Sequence, residues 1–232
     1  MSDPRILAIE TATDACSAAL IIGNEVTERF EIAPRRHATL LLPFVQRLLA
    51  EANLAIGELD AIAFGRGPGS FTGLRIAAGM AQGLAFGADL PVVPVSTLAA
   101  LAQGCVRECT AQGVLAALDA RMHEVYFGSF RVAADGLVTP AGEEVVCDPS
   151  SIRVPEGEDW YTAGDGWQSY REAMNAQLTR PPVGRHDAAR PHAADVARLA
   201  VKLWQHAGSV PAEQAAPVYL RNHVADKPGA RT

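Results

Sequence analysis

Lysine is almost missing from this chain. Only Lys202 and Lys227 occur in 232 residues, so nearly all positive charge is arginine, whose planar guanidinium suits local phosphate or carboxylate recognition. Positive charge is also outnumbered: 20 Lys and Arg stand against 26 Asp and Glu, for a net charge of −6. That balance argues against gripping nucleic acid through a broad basic surface. The opening MSDPRILAIET has no basic segment ahead of an apolar run, so no secretion signal is expected and a cytoplasmic protein is predicted. Cysteine is sparse and scattered (Cys16, Cys105, Cys109, Cys147). Cys105 and Cys109 have three residues between them, not the two of a metal or redox knuckle, and all four are expected to be reduced packing residues.

Signatures of catalysis are missing too. The P-loop spacing GxxxxGK is absent, and the dinucleotide pattern GxGxxG breaks at Thr72. The histidines (His37, His123, His186, His192, His206, His223) include no pair at i, i+4 on one helix, as a metal site would want. His186, Asp187 and His192 share a loop, which solvation explains. Ser70 sits in G-P-G-S-F, not in a GxSxG elbow. Asp119 and Glu124 could form a carboxylate pair, but an ion pair with Arg121 is the simpler reading. No catalytic residue, cofactor or metal site is predicted.

What the chain has is a glycine-rich turn between two apolar stretches. Residues 64–87 read FGRGPGSFTGLRIAAGMAQGLAFG. Gly65, Gly67 and Gly69 free the backbone for positive φ, and Pro68 fixes one φ between two of them. Ser70 is a good N-cap for the helix that follows. Such a strand–turn–helix suits an anion, although a tight turn with a close-packed helix behind it is the better default. The helix over 71–86 is apolar or small nearly all round, with Thr72, Arg75 and Gln82 its polar residues. A surface helix shows one apolar stripe, so this helix is either fully buried or shared with a protein partner. A helix over 37–54 carries a double stripe, Leu41, Phe44, Leu48 beside Leu42, Val45, Leu49, again more apolar surface than one sheet face needs. Pro43 predicts a kink or a later start.

Strands are predicted over 5–11, 16–23 and 26–32, the last two joined by Gly23-Asn24. Further strands over 60–64 and 91–95 flank the 71–86 helix, giving the order β-β-β-α-β-α-β, and a helix capped by Ser96 leads out to about Arg107. The pattern then restarts with strands over 113–119, 124–132, 143–147 and 160–163, a helix over 168–178, a Pro- and Arg-rich loop over 180–190, and an amphipathic helix over 193–207. The tail from Asn222 is polar. The expectation is an α/β protein of two ribonuclease-H-like lobes, residues 1–107 and 108–232, as in the actin, hexokinase and Hsp70 fold, with packing of the last helix and tail back on the first lobe left open. A nucleotide-binding member of that fold needs an Asp-and-glycine turn after the first strand of each lobe. Here Glu10 is followed by no glycine until Gly23, and Asp119 is followed by Ala120 and Arg121.

The strings IETATDACSAAL, RRHATLLLP, GRGPGSFTGLRIAAGMAQGLA, LDARMHEVY and PVYLRN together resemble the TsaB family, bacterial subunits of the tRNA threonylcarbamoyladenosine system. The resemblance runs through nearly the whole chain, and the turn Arg66, Gly67, Pro68, Gly69, Ser70, Phe71, Thr72 is its most specific part. It implies the two-lobed fold and a non-catalytic subunit that supports a catalytic paralogue, TsaD, in transferring threonylcarbamoyl to N6 of the adenosine beside the anticodon. TsaD holds a metal through an HxxxH pair; here His37 stands at the first position and Leu41 at the second, so that pair is broken. The resemblance further implies pairing with TsaD through the first two helices, on which Leu41, Leu42, Val45, Leu49, Arg75, Ala78, Gly79 and Gln82 are the candidate contacts. TsaE and, through the complex, tRNA are implied partners, and a homodimer through the same face is expected of the isolated chain. The alternative is an independent ATP-dependent transferase or peptidase.

Overall fold

A computed structural model describes residues 3–157, 159–206 and 208–221. Three strands open the chain: β1 (Arg5–Glu10), β2 (Ala15–Ile22) and β3 (Glu25–Ile32). β1 and β2 are near-continuous apolar runs and are buried almost throughout, whereas β3 alternates and is the sheet edge. The β2–β3 turn uses Gly23 at φ +61°, a conformation glycine adopts without steric cost.

β4 (Ala61–Gly65) and β5 (Val92–Val95) join β1 in parallel, giving the order β3-β2-β1-β4-β5. Parallel pairing needs crossovers. These are α1 (His37–Glu51), ahead of β4, and α2 (Phe71–Ala88), between β4 and β5. Both helices lie on one face, where Leu41, Phe44, Leu48, Ala77 and Ala81 pack on Leu7, Ile9, Ile62 and Phe64. α1 runs unbroken past Pro43, which faces solvent. The Thr39 carbonyl left without its intrahelical donor is on the wet side, where water can satisfy it.

The second sheet has the order β11-β10-β6-β7-β8. Its antiparallel pair is β6 (Gly113–Arg121) and β7 (Glu124–Val132), with β8 (Val138–Pro140) on β7. β9 (Val145–Cys147) also pairs with β7, beyond β8. β10 (Trp160–Ala163) and β11 (Gly184–His186) extend β6 in parallel. Where one helix is predicted over 168–178, two short ones occur, α4 (Asp165–Ser169) and α5 (Arg171–Asn175), broken at Tyr170 with φ −126°. Trp167 is wholly buried and its Nε1 donates to the Leu115 carbonyl at 2.8 Å. β11 forms inside the stretch expected to be loop. The tail from Asn222 lies outside the described residues.

Two helices bind the lobes together. α3 (Thr97–Cys109), capped by Ser96 as predicted, packs beneath β6, β7 and β8, while α6 (Ala193–Gln205) returns to lie on β1, β2 and β4. α3 and α6 also pack on each other. One apolar core therefore runs from Ile6 and Ala63 in the first sheet through Leu98, Leu101, Val196 and Ala200 to Val114 and Phe130 in the second. The result is the two-sheet α/β architecture of the actin and hexokinase type.

Candidate functional site at the glycine turn and the outer helix face

The turn between β4 and α2 is clamped onto the end of β1. A Cβ on Gly65 would sit 1.9 Å from a Glu10 carboxylate oxygen, one on Gly69 2.6 Å from the Ala12 carbonyl, and one on Gly73 1.9 Å from the Thr11 carbonyl. Gly67 has φ +103°. Conformation therefore requires glycine at Gly67 alone, whereas Gly65, Gly69 and Gly73 do not take the positive φ that glycine allows and are required by contact. Ser70 caps α2, its hydroxyl accepting from the Gly73 amide at 3.4 Å. Gly67 N donates to Thr97 Oγ1 at 3.2 Å, and Ser70 N donates to the Ala12 carbonyl at 2.7 Å. Two amides that a phosphate cradle would aim outward are thus consumed by the chain itself.

Beneath the turn lies Glu10, 1 % exposed. Ala12 N donates to its Oε1 at 2.6 Å and Thr97 Oγ1 to its Oε2 at 3.1 Å. Burial pushes its pKa up to about 7 against those hydrogen bonds. Sequence reasoning weighed Glu10 only as a failed phosphate position. Its signal was an acid closing an otherwise apolar strand.

The rest of the turn faces a cleft of about 780 Å³ between the lobes. Pro68, Gly69, Ser70 and Phe71 form one wall and Asp119, Ala120 and Arg121 the other. The charges around the cleft are largely matched internally. Asp119 pairs with Arg121 at 3.5 Å and accepts from the Tyr170 hydroxyl at 3.1 Å. Asp14 is held by Arg190 at 2.6 Å, which keeps its pKa low, while burial raises that of Asp165. Residues 218–221 strap the cleft. Val218 N donates to the Arg66 carbonyl at 2.8 Å, and the Tyr219 ring lies tilted against Phe71 with centroids 5.5 Å apart. Arg221 donates to the Ala120 carbonyl at 3.0 Å and pairs with Glu124. Of the two acids expected as partners of Arg121, Asp119 is the one that pairs with it, and Glu124 pairs with Arg221. Arg66 itself reaches Glu144 at 3.5 Å.

On the helices, the candidate contact residues divide. Leu41, Val45 and Ala78 are enclosed by their own core at 0, 1 and 4 % exposure, so the second stripe of α1 is only partly available. Leu42 is exposed, Leu49 half-exposed, and on α2 Phe71, Thr72, Arg75, Gly79, Gly83 and Phe86 line the outer side. Nothing lies within 4 Å of a Cβ built on Gly79 or Gly83. Gln82 is half-buried and donates to the Ala215 carbonyl at 2.8 Å; Arg75 donates to the Tyr219 hydroxyl at 3.2 Å and lies 3.8 Å over the Phe71 ring. His37 turns inward, 3.2 Å from the Ala15 carbonyl, and Leu41 is in the core. His186 meets Glu108, Asp187 meets Arg171, and His192 meets Glu28, so the loop histidines do not converge. Among the described residues no group of three or more His, Cys, Asp or Glu is arranged to hold a metal, and no helix is long and apolar enough to cross a membrane.

Residues 21–227 match the family model described as TsaD, tRNA N6-adenosine threonylcarbamoyltransferase. The tRNA threonylcarbamoyladenosine biosynthesis protein TsaB of Haemophilus influenzae is 40 % identical, over 97 % of this chain and 96 % of that protein. The Escherichia coli protein of the same name is 41 % identical over 96 % and 97 %. A solved structure, YeaZ from Pseudomonas aeruginosa, superposes with a TM-score of 0.88 at 47 % identity, covering 95 % of this chain and all of that one. Similar to these proteins along nearly its whole length and superposing on a solved structure over 95 % of the chain, the chain belongs to the TsaB family of tRNA threonylcarbamoyladenosine biosynthesis proteins.

Proposed function

We propose that the chain is a non-catalytic subunit which binds TsaD through the outer face of α1 and α2 and supports threonylcarbamoyl transfer to N6 of the adenosine beside the anticodon, with TsaE joining the assembly. The observation that carries this reading is the exposed stripe on the outer side of α2, Phe71, Gly79, Gly83 and Phe86, beside Leu42 of α1, which the described residues leave largely uncovered. Phe86 is 78 % exposed and Phe71 51 %, and apolar area of that kind contributes about 25 cal/mol per Å² when a partner covers it. The two open glycines let another backbone approach closely. The same face would bring two copies of the chain together when TsaD is absent. The non-catalytic part of the reading is supported by a turn whose amides are spent internally and by a second-lobe hairpin, Asp119 to Arg121, capped by Arg221.

The test is complex formation with the source organism's TsaD, followed by gel filtration and calorimetry. Leu42→Arg and Gly83→Arg place charge on the outer face without touching the core, and each is expected to weaken binding by tenfold or more while far-UV circular dichroism stays unchanged. A charge at Ala78 would not serve, because that side chain is already enclosed. An undiminished complex in both variants would remove this face from the interface.

A further inference from the structure

The end of α3 meets β11 in an arrangement the subunit role does not use. Cys109 Sγ lies 3.4 Å from His186 Nδ1, and His186 Nε2 lies 2.9 Å from Glu108 Oε2. Glu108 can only accept from Nε2–H, which fixes the tautomer and leaves the Nδ1 lone pair for the thiol proton. A nucleophile, a base and a group orienting the base are thus in hydrogen-bonded sequence. Backbone bonds from Gly164 N and Ala189 N to the His186 carbonyl hold the histidine in place. Beside His186 is a small pocket of about 180 Å³, where Phe30, Ile32 and Ala189 stand with Glu108, Arg190 and His192.

We propose that Cys109 is a nucleophilic thiol with His186 as its base, and a site of S-modification by a small uncharged electrophile. The pocket on the His186 side of the thiol sets a small electrophile by its size, and an uncharged one because its charged lining groups are already paired: Glu108 with His186, Arg190 with Asp14 and His192 with Glu28. The other charged and titratable groups nearby have partners of their own, and Arg107 takes the Glu108 oxygen that His186 does not use. Arg107 pairs with Glu108 at 3.1 Å and with Asp195 of α6, Arg190 is held by Asp14, and His192 by Glu28. The Cys105 thiol, one turn back on α3, is pushed up to about 12 by burial and by Cys109, so it does not compete as a nucleophile. With iodoacetamide as the probe, the Cys109 sulfur forms a bond to the methylene carbon and the carbon–iodine bond breaks. Iodide leaves and the thiol proton passes to His186 Nδ1.

The experiment is iodoacetamide labelling of the full chain at neutral pH, with the Cys109 peptide quantified by mass spectrometry in the folded protein and in urea-unfolded protein. Packing alone slows a half-buried thiol relative to its unfolded state, whereas base assistance accelerates it, typically by 10²-fold or more. We expect Cys109 to label at least tenfold faster folded than unfolded. His186→Ala should abolish the excess, and added imidazole should restore part of it. Slower labelling in the folded protein, or an excess that survives His186→Ala, would overturn the assignment. The wild-type comparison decides the matter even if that variant fails to fold.

Discussion

Glu10 closes β1 with both carboxyl oxygens hydrogen-bonded and no ion pair among the described residues. A buried carboxylate without a cation is costly, and the raised pKa expresses that cost. The sign follows from linkage. Because the folded value, about 7, lies above the ordinary 4.5, the fold disfavours ionisation. This group therefore costs nothing below pH 4.5, and stability falls as pH rises through 7, by about 3 kcal/mol at most. Asp165 and Asp195, also raised by burial, act in the same direction, and Asp14, lowered by Arg190, acts in the opposite one. Glu10→Gln should flatten the pH dependence of urea unfolding between about pH 4.5 and about pH 7, while losing about 1–3 kcal/mol at the acid end, because the amide leaves one donor unsatisfied. An unchanged slope would show that Glu10 does not titrate in this range. Why an acid should sit there is answered by its neighbours. It holds the Ala12 amide and the Thr97 hydroxyl, which in turn fix Ser70 and Gly67 of the turn.

Along α2, glycines that look alike in the sequence have opposite duties. Gly73 is pressed against β1, where a methyl group would come 1.9 Å from the Thr11 carbonyl, whereas Gly79 has nothing within 4 Å. Gly73→Ala should therefore destabilise the chain by about 3 kcal/mol or more, and Gly79→Ala should stabilise it by about 0.5–1 kcal/mol through helix propensity. Chemical denaturation of the two variants reads both signs, and equal effects would contradict the packing described. A stabilising Gly79→Ala that also weakens TsaD binding would separate the two roles of the helix. The sequence shows seven glycines across the turn and helix and cannot say which meet backbone and which meet water, since that depends on how β1 and α2 are stacked. The strands that bury their residues, β1, β2, β4, β5 and β6, are legible because their apolar runs admit few other readings. β8 and β11 were not, being three residues each and stabilised by pairing with β7 and β10. The break between α4 and α5 was invisible for a related reason. Trp167 and Met174 must both reach the core under β6, and Tyr170 turns to meet Asp119.

At the scale of the whole molecule, the chain's linear halves are not its packing units. α3 follows the first sheet in sequence yet lies under the second, and α6 follows the second yet lies on the first. Periodicity reveals that a helix has an apolar face but not which sheet receives it. The interlocking has a thermodynamic consequence. Leu101 of α3 is wholly buried in the core that joins the two sheets, and neither lobe can release it without exposing the other's apolar face. Unfolding should therefore be a single transition: in a Trp204→Phe background, which removes the tryptophan of α6, the fluorescence of Trp160 and Trp167 in the second lobe should trace the same midpoint as far-UV circular dichroism of the whole chain. Leu101→Ala should cost about 2–5 kcal/mol and shift both probes together. A core confined to one lobe would instead split them, with tryptophan fluorescence moving and part of the dichroism staying behind. The contrast with Phe86 completes the argument. Phe86→Ala deletes a side chain of similar apolar size from the exposed end of α2's outer stripe, so it should leave that midpoint within about 0.5 kcal/mol. Its effect should appear only in the presence of a covering partner.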